Sequence, residues 1–435
     1  MDLQLLLSAV GVIIALVIVI AGLFRGYQTA IVSLIATAVI MITSGLPLMD
    51  TIDNVWANGC AGSIVWVFLI FLSGCTLSEI CRRTGSTVAL GNALGKLFGP
   101  NNAPLAVYVG SVICMFGGLG MGGHLLMFAI GCRLFKQGNY SRTLLPGCII
   151  GSTWTYAICA PYAVDACNAI PAAAFGTPTN AGLVPGLIGM VVEVVLGVAF
   201  IMIYAKRQRS KGIVWETELE LPDEQADDSL TFWGLIKALL PILATFGLYN
   251  FANFSMPVAC FSGGIIMMLV NLKKYSASEW MNIWCEGAKQ GVPPALDMGA
   301  IAGFAAVVTA TPFYNSFVGN LQDMTLSPYI LAVLIPGAIA ALTASGTTAV
   351  IVTTSSFTTL FQTYATQGYS LGNLHRLVSY SSTILDSLPT NGCIHSCMEA
   401  WNISYKKGYF PIFVMTVAIS FIGTMVVLAC CLIGM

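Results

Sequence analysis

From Leu5 to Phe24 the chain reads LLLSAVGVIIALVIVIAGLF, with no charged side chain anywhere in the run. About 20 apolar residues in a helix cross a hydrocarbon core ~30 Å thick. Lipid offers no partner to a backbone N–H or C=O, so such a segment closes its own hydrogen bonds as a helix. The run lacks a basic start and a small-residue cleavage site and reads as a retained span rather than a signal peptide. Further apolar runs follow at 27–46, 60–80, 182–205, 230–251, 254–272, 293–311 and 409–433, with interrupted ones at 141–175 and 371–401. The residues are 57% hydrophobic and 9% charged, where soluble domains carry about 25% charged residues. The fold class expected is an all-α polytopic membrane protein.

Two apolar pairs do not read as ordinary spans. Residues 104–135 bend at GGLGMGGH and 328–363 bend at LTASGTTAV, and both read as re-entrant helical hairpins. Pro161 and Pro389 interrupt the other two segments, because a proline inside a helix removes a hydrogen bond and clashes with the preceding turn. The order of element types then repeats: 3–24 corresponds to 230–251 and 182–205 to 409–433. Each half holds five crossings, one of them broken, and one hairpin. Five is odd, so the halves are expected to be inverted relative to each other, the plan of many secondary transporters. The expected units are a first repeat at 1–208, an acidic cytoplasmic linker at 209–228 and a second repeat at 229–435. Within them, 1–100 and 229–326 read as scaffold, and 101–208 and 327–435 as transport parts. With both termini outside, every lysine and arginine except Arg376 falls in an inside loop, as the positive-inside rule requires.

Irregular backbone at membrane depth is tolerated where it is buried in protein or lines a cavity. Four helices restart after these interruptions, and each N-terminus carries free N–H groups and partial positive charge, suited to a carboxylate. The candidate ligand contacts are Gly118, Gly120, Gly122, Gly123 and His124 at the first hairpin, and Asp165 and Asn168 after the first break. Ser345, Gly346, Thr347 and Thr348 at the second hairpin and Ser387, Pro389, Thr390, Asn391 and Gly392 at the second break complete the set. An ionisable residue inside a membrane is a functional candidate by default, which makes Asp386, with His395 beyond it, the expected proton-coupling group. Arg376 is read either as a site residue or as a side chain that snorkels to the surface. Glu193, isolated in GMVVEVVLGV, is expected to make a helix–helix hydrogen bond. The 14 cysteines are scattered through apolar segments without metal spacing and read as buried thiols.

The segment NLHRLVSYSSTILDSLPTNGCIHSCMEAWNISYKKGY resembles the C-terminal signature of the gluconate permease (GntP) family, whose pattern reads roughly LHR…DSLPHNG…THK. APLAVYVGSVICMFGGLGMGGHLLMFAIGCRLF looks like that family's first hairpin. NAIPAAAFGTPTNAGLVPGLIGMVVEVVLG is similar to the branch that contains D-β-hydroxybutyrate permeases. Asp386, Ser387, Pro389, Asn391 and Gly392 match the motif, and Thr390 stands where the family usually has histidine. The resemblance implies membership of the ion transporter superfamily and a homodimer in a bacterial inner or plasma membrane. It also implies proton-coupled uptake of a small hydroxymonocarboxylate, 3-hydroxybutyrate- or gluconate-like, by alternating access of elevator type. Sodium coupling, a sugar acid or dicarboxylate as substrate, and a passive anion channel stay open as alternatives.

The chain carries no His-Glu-x-x-His pair, Gly-x-Ser-x-Gly elbow or phosphate loop, so neither an enzyme nor a resident cofactor or metal is expected. The net charge of −1 points to no nucleic-acid partner. The expected partners are a small organic anion, a proton and the lipid bilayer.

Overall fold

The computed structural model describes residues 3–116, 120–163, 165–216, 232–252, 254–322 and 326–435, and all its regular elements are helical. In chain order the first half holds α1 (Leu3–Phe24), α2 (Thr29–Ser44), α3 (Leu48–Thr84), α4 (Ser86–Phe98), α5 (Ala103–Phe116) and α6 (Gly120–Gly138). It continues with α7 (Leu145–Thr153), α8 (Tyr156–Cys159), α9 (Ala166–Phe175) and α10 (Leu183–Ser210). The second half holds α11 (Phe232–Asn250), α12 (Met256–Val270), α13 (Ala277–Thr309), α14 (Pro312–Gln322) and α15 (Pro328–Thr343). It closes with α16 (Gly346–Thr366), α17 (Leu371–Ile384), α18 (Gly392–Ala400) and α19 (Tyr405–Leu432). Most of the acidic linker at 209–228 lies outside the described residues.

Among the described residues five helices, α1, α3, α10, α13 and α19, are long and apolar enough to cross a bilayer. Large apolar side chains point outward from them and their neighbours, Ile42 at 83% exposure and Val65 at 80%. Lipid is as apolar as these side chains, so their outward position carries no penalty and cannot supply the driving force for helix association. Close packing supplies it instead. At the interface of α3 and α13 a side chain on Gly291 would come within 2.8 Å of the Phe71 backbone, and one on Gly287 within 2.6 Å of Thr76 Cα. Only glycine allows these two backbones to approach so closely. α3 exceeds its expected span of 60–80 at both ends, and α13 begins well before its expected span of 293–311, because polar and small residues there continue the helix beyond the apolar run. At the start of α13, Ser276 and Glu279 form a reciprocal capping box, which fixes the N-terminus well before the hydrophobic stretch. Two shorter helices, α4 and α14, fall in no expected span.

The helices gather around several apolar clusters. One joins α1 and α2 to the C-terminal part of α13 through Val12, Val19, Ile40, Ile301, Phe304 and Val308. It is tied by Trp56 Nε1 donating to Ser33 Oγ at 3.1 Å, and Ser33 Oγ to the Ala300 carbonyl at 2.6 Å. Another cluster joins α15, α16 and α17 through Leu331, Ile339, Phe357, Phe361 and Leu377. α15 and α16 pack against each other, as do α5 and α6. The connection between α5 and α6, which includes the candidate Gly118, lies outside the described residues. Between α15 and α16 the chain reverses at Ala344, a non-glycine residue with φ of 47°, in the left-handed region that side chains other than glycine seldom occupy.

Candidate functional site

The two interruptions read at Pro161 and Pro389 are breaks in the structure. α8 ends at Cys159 and helix resumes at Ala166, and α17 ends at Ile384 and helix resumes at Gly392. Each restarted helix has a side-chain cap. Asp165 Oδ1 accepts from the Cys167 N–H at 3.0 Å, and Asn391 Oδ1 accepts from the Ile394 N–H at 3.0 Å. At the second hairpin Ser345 Oγ accepts from the Thr348 N–H at 3.1 Å and from the Thr348 hydroxyl at 2.9 Å. Capping of this kind satisfies N–H groups that an N-terminus leaves free and is worth about 1 kcal/mol.

These three N-termini meet at Gly346. Its N–H donates to Asp386 Oδ1 at 2.8 Å. A Cβ there would lie 3.0 Å from the Ser382 carbonyl, 3.1 Å from Cys167 Sγ and 3.3 Å from Asp386 Cγ. Those atoms belong to the end of α17, the start of α9 and the second break. Asn391 completes the junction, with Nδ2 donating to the Ala344 carbonyl at 2.9 Å, to the Asp386 carbonyl at 2.8 Å and to Asp386 Oδ1 at 3.1 Å. Because Asn391 Oδ1 serves the Ile394 N–H, the amide has one consistent orientation. Asp386 therefore caps α16 from across the break, with its carboxylate at the position where such a helix end binds an anion. Asp386, Thr390 and Asn391 are buried, while Ser345, Thr347, Thr348, Pro389 and Gly392 are half-buried. Ser387 is wholly buried; its carbonyl accepts from Tyr409 Oη at 2.7 Å, and its hydroxyl has no partner among the described residues.

The first break is held by Arg376. The guanidinium is fully buried, so it does not reach the surface as snorkelling would require. Its Nε donates to the Ala181 carbonyl at 2.9 Å, and Nη2 to the carbonyls of Ala181 at 2.7 Å and Thr179 at 2.9 Å. Its Nη1 donates to the Cys159 carbonyl, at the end of α8, and to Asn168 Oδ1 at 3.0 Å. Every one of these acceptors is neutral. Asn168 Nδ2 in turn donates to the carbonyls of Ala163 at 2.7 Å and Thr179 at 3.0 Å. Asn168 thus pins the loop after the break with all the groups it has. The break is what obliges this: carbonyls that lose their helical partners are costly when buried, and a five-donor fork supplies replacements.

Two histidines sit elsewhere. His124 Nε2 pairs with Thr153 Oγ1 at 2.8 Å, where α6 meets the end of α7 just before the first break. Gly120, Gly122 and Gly123 lie in the first turn of α6, ahead of it. His395, one turn into α18, faces α2 and α13. Its Nδ1 lies 3.5 Å from Asp297 Oδ2, and Thr29 Oγ1 lies 3.1 Å from its Nε2. Asp297, His395 and Glu399 each place one ligand atom within 4.8 Å of the others. Two carboxylates and an imidazole at this spacing can share protons as readily as they can ligate a cation. Asp297 escaped the sequence reading because it lies mid-helix, beside no break, and Glu399 because it lies past the motif. Their i, i+4 relation on one side, between His395 and Glu399, is the signal that was present.

An all-helical chain with several apolar helices of membrane-crossing length and a polar junction built from interrupted helices is a multi-pass membrane protein. No protein-family model matches the sequence. The chain is 21% identical over 450 residues to the uncharacterized transporter YxjC of Bacillus subtilis (strain 168), a match that covers 93% of this chain and 95% of that protein.

Proposed function

We propose that this protein is a secondary active transporter that takes up a small hydroxymonocarboxylate together with a proton. The observation that carries the reading is the junction at Gly346, where three restarted helices meet and the carboxylate of Asp386 occupies the N-terminus of α16. A substrate carboxylate would fit the same N–H groups. Only one anion can use them at a time, so Asp386 has to leave or lose its charge when substrate arrives. A proton on Asp386 does both: a neutral carboxyl accepts more weakly and no longer repels the substrate. Loading of the proton and loading of the anion are then linked, the minimum that symport needs. Arg376, buried among neutral carbonyls, adds an uncompensated positive charge that favours an anionic substrate.

The likeness to the uncharacterized transporter YxjC along nearly the whole chain supports transport as the activity. The gluconate permease-like motif from Asp386 to Gly392 supports a hydroxy acid as the cargo. The reading includes two inverted repeats, a moving part made of the hairpins and broken helices, and a homodimer formed through the remaining spans. A thermal-shift screen of small hydroxy acids at two pH values on the purified protein tests the binding half. Stabilisation by 3-hydroxybutyrate or gluconate that grows as the pH falls supports the reading. Stabilisation by sodium, or by dicarboxylates alone, redirects it.

A further inference from the structure

Glu193 is expected from its sequence to bond a neighbouring helix; among the described residues no such bond closes with normal geometry. The side chain is 1% exposed, and neither carboxyl oxygen has a hydrogen-bond partner among the described residues. It lies flat against α19 at Gly423, where a Cβ would stand 2.1 Å from Oε1. Any larger residue at 423 would expel it. The Tyr156 N–H approaches the carboxyl without closing a bond of normal geometry. The titratable groups that face it are the phenols of Tyr108 from α5, Tyr156 from α8 and Tyr380 from α17, with the Cys159 thiol. Among the described residues no lysine or arginine pairs with it: Arg376 spends its donors on carbonyls and Asn168. Two other buried polar atoms beside this contact, Tyr108 Oη near Gly197 and Ser420 Oγ one turn before Gly423, also lack partners among the described residues.

An ionised carboxylate in this place would have no counter-charge among the described residues and only the poorly aligned Tyr156 N–H as a nearby backbone donor, and such groups neutralise instead. A neutral acid needs only one acceptor for its single O–H. We propose that Glu193 is a proton-binding site, separate from the Gly346 junction, that holds its proton in the conformation described and releases it when α10 and α19 part. Because α19 rests directly on the carboxyl, separation of these helices and hydration of the group are the same event. The inference does not depend on the identity of the substrate or on transport itself.

Infrared difference spectroscopy of the full-length protein in lipid, titrated from acid to alkaline pH, tests it. The spectrum of the wild type minus that of Glu193→Gln should contain a protonated-carboxyl C=O band at neutral pH. That band should convert reversibly to carboxylate bands at higher pH, with one fewer titrating carboxyl in the variant. If Glu193→Gln does not fold, a Glu399→Gln protein labelled with ¹³C-glutamate gives the reading, since the label moves glutamate bands away from those of Asp165 and Asp386 and the substitution removes the glutamate of the Asp297–His395–Glu399 cluster. A carboxylate band at every pH would overturn the proposal, as would an acid band that never titrates.

Discussion

The N–H of Gly346 donates to Asp386 Oδ1 at 2.8 Å, which joins the tip of one helical hairpin to the break of another helix. Asn391 bonds the same oxygen at 3.1 Å and the Ala344 carbonyl at 2.9 Å. The turn at Ala344, the break at Asp386 and the restart at Asn391 are therefore a single hydrogen-bonded unit. A proton on Asp386 would loosen all three at once.

Asp386→Asn mimics the protonated form. The variant should keep substrate binding and exchange, lose uphill uptake and lose the pH dependence of transport. Exchange and uptake assays across a pH series check this. If Asp386 acts instead as a fixed cap, the variant would lose stability and affinity together and the residual transport would keep its normal pH profile.

Arg376→Gln should be strongly destabilising. It strips the side-chain donors from the buried carbonyls of Cys159 and Ala181, and each buried acceptor left bare costs about 1–3 kcal/mol; the Thr179 carbonyl keeps Asn168 Nδ2. Arg376→Lys keeps the charge and loses the fork, so it should recover only part of the loss. Thermal unfolding of the purified variants reads both effects. A Lys variant as stable as wild type would show that charge alone matters there.

Ser345→Ala and Asn391→Ala distinguish a simple cap from a junction residue. Ser345 bonds only within its own helix turn, and its loss should cost about 1 kcal/mol. Asn391 bonds its own turn, the Asp386 backbone and carboxylate and the hairpin, so its loss should cost at least twice as much. It should also lower substrate affinity. Equal effects in a thermal-shift comparison would mean that Asn391 does no more than cap α18.

Gly346→Ala brings a methyl group to 3.0 Å from the Ser382 carbonyl and 3.3 Å from Asp386 Cγ. Contacts that close require the neighbours to move by a few tenths of an ångström. The substitution should weaken both stability and anion binding, by about 1–3 kcal/mol in stability. Wild-type affinity in this variant, measured by thermal shift or isothermal titration, would remove the Gly346 junction as the binding site.

Much of this arrangement was legible in the chain itself. Proline and glycine act locally, so the breaks beside Pro161 and Pro389 and the reversal before Gly346 are visible from a few residues. Helix ends set by polar caps are harder, and α13 begins at Ala277 because of Ser276 and Glu279, well outside its apolar run. Partners distant in sequence are harder still. Nothing near Arg376 announces that its acceptors lie at Cys159, Thr179 and Ala181, and nothing near Glu193 announces that Gly423 will cover it. Those relations depend on how helices from the two halves of the chain pack, which local pattern does not encode.

The most direct test of the central claim is concentrative uptake in sealed proteoliposomes with an imposed pH gradient. Labelled 3-hydroxybutyrate or gluconate should accumulate inside, above its external concentration, when the interior is alkaline and sodium is absent. Accumulation should collapse when a protonophore dissipates the gradient. Flux that only equilibrates the two sides, with or without the gradient, would identify a passive pathway and contradict the account.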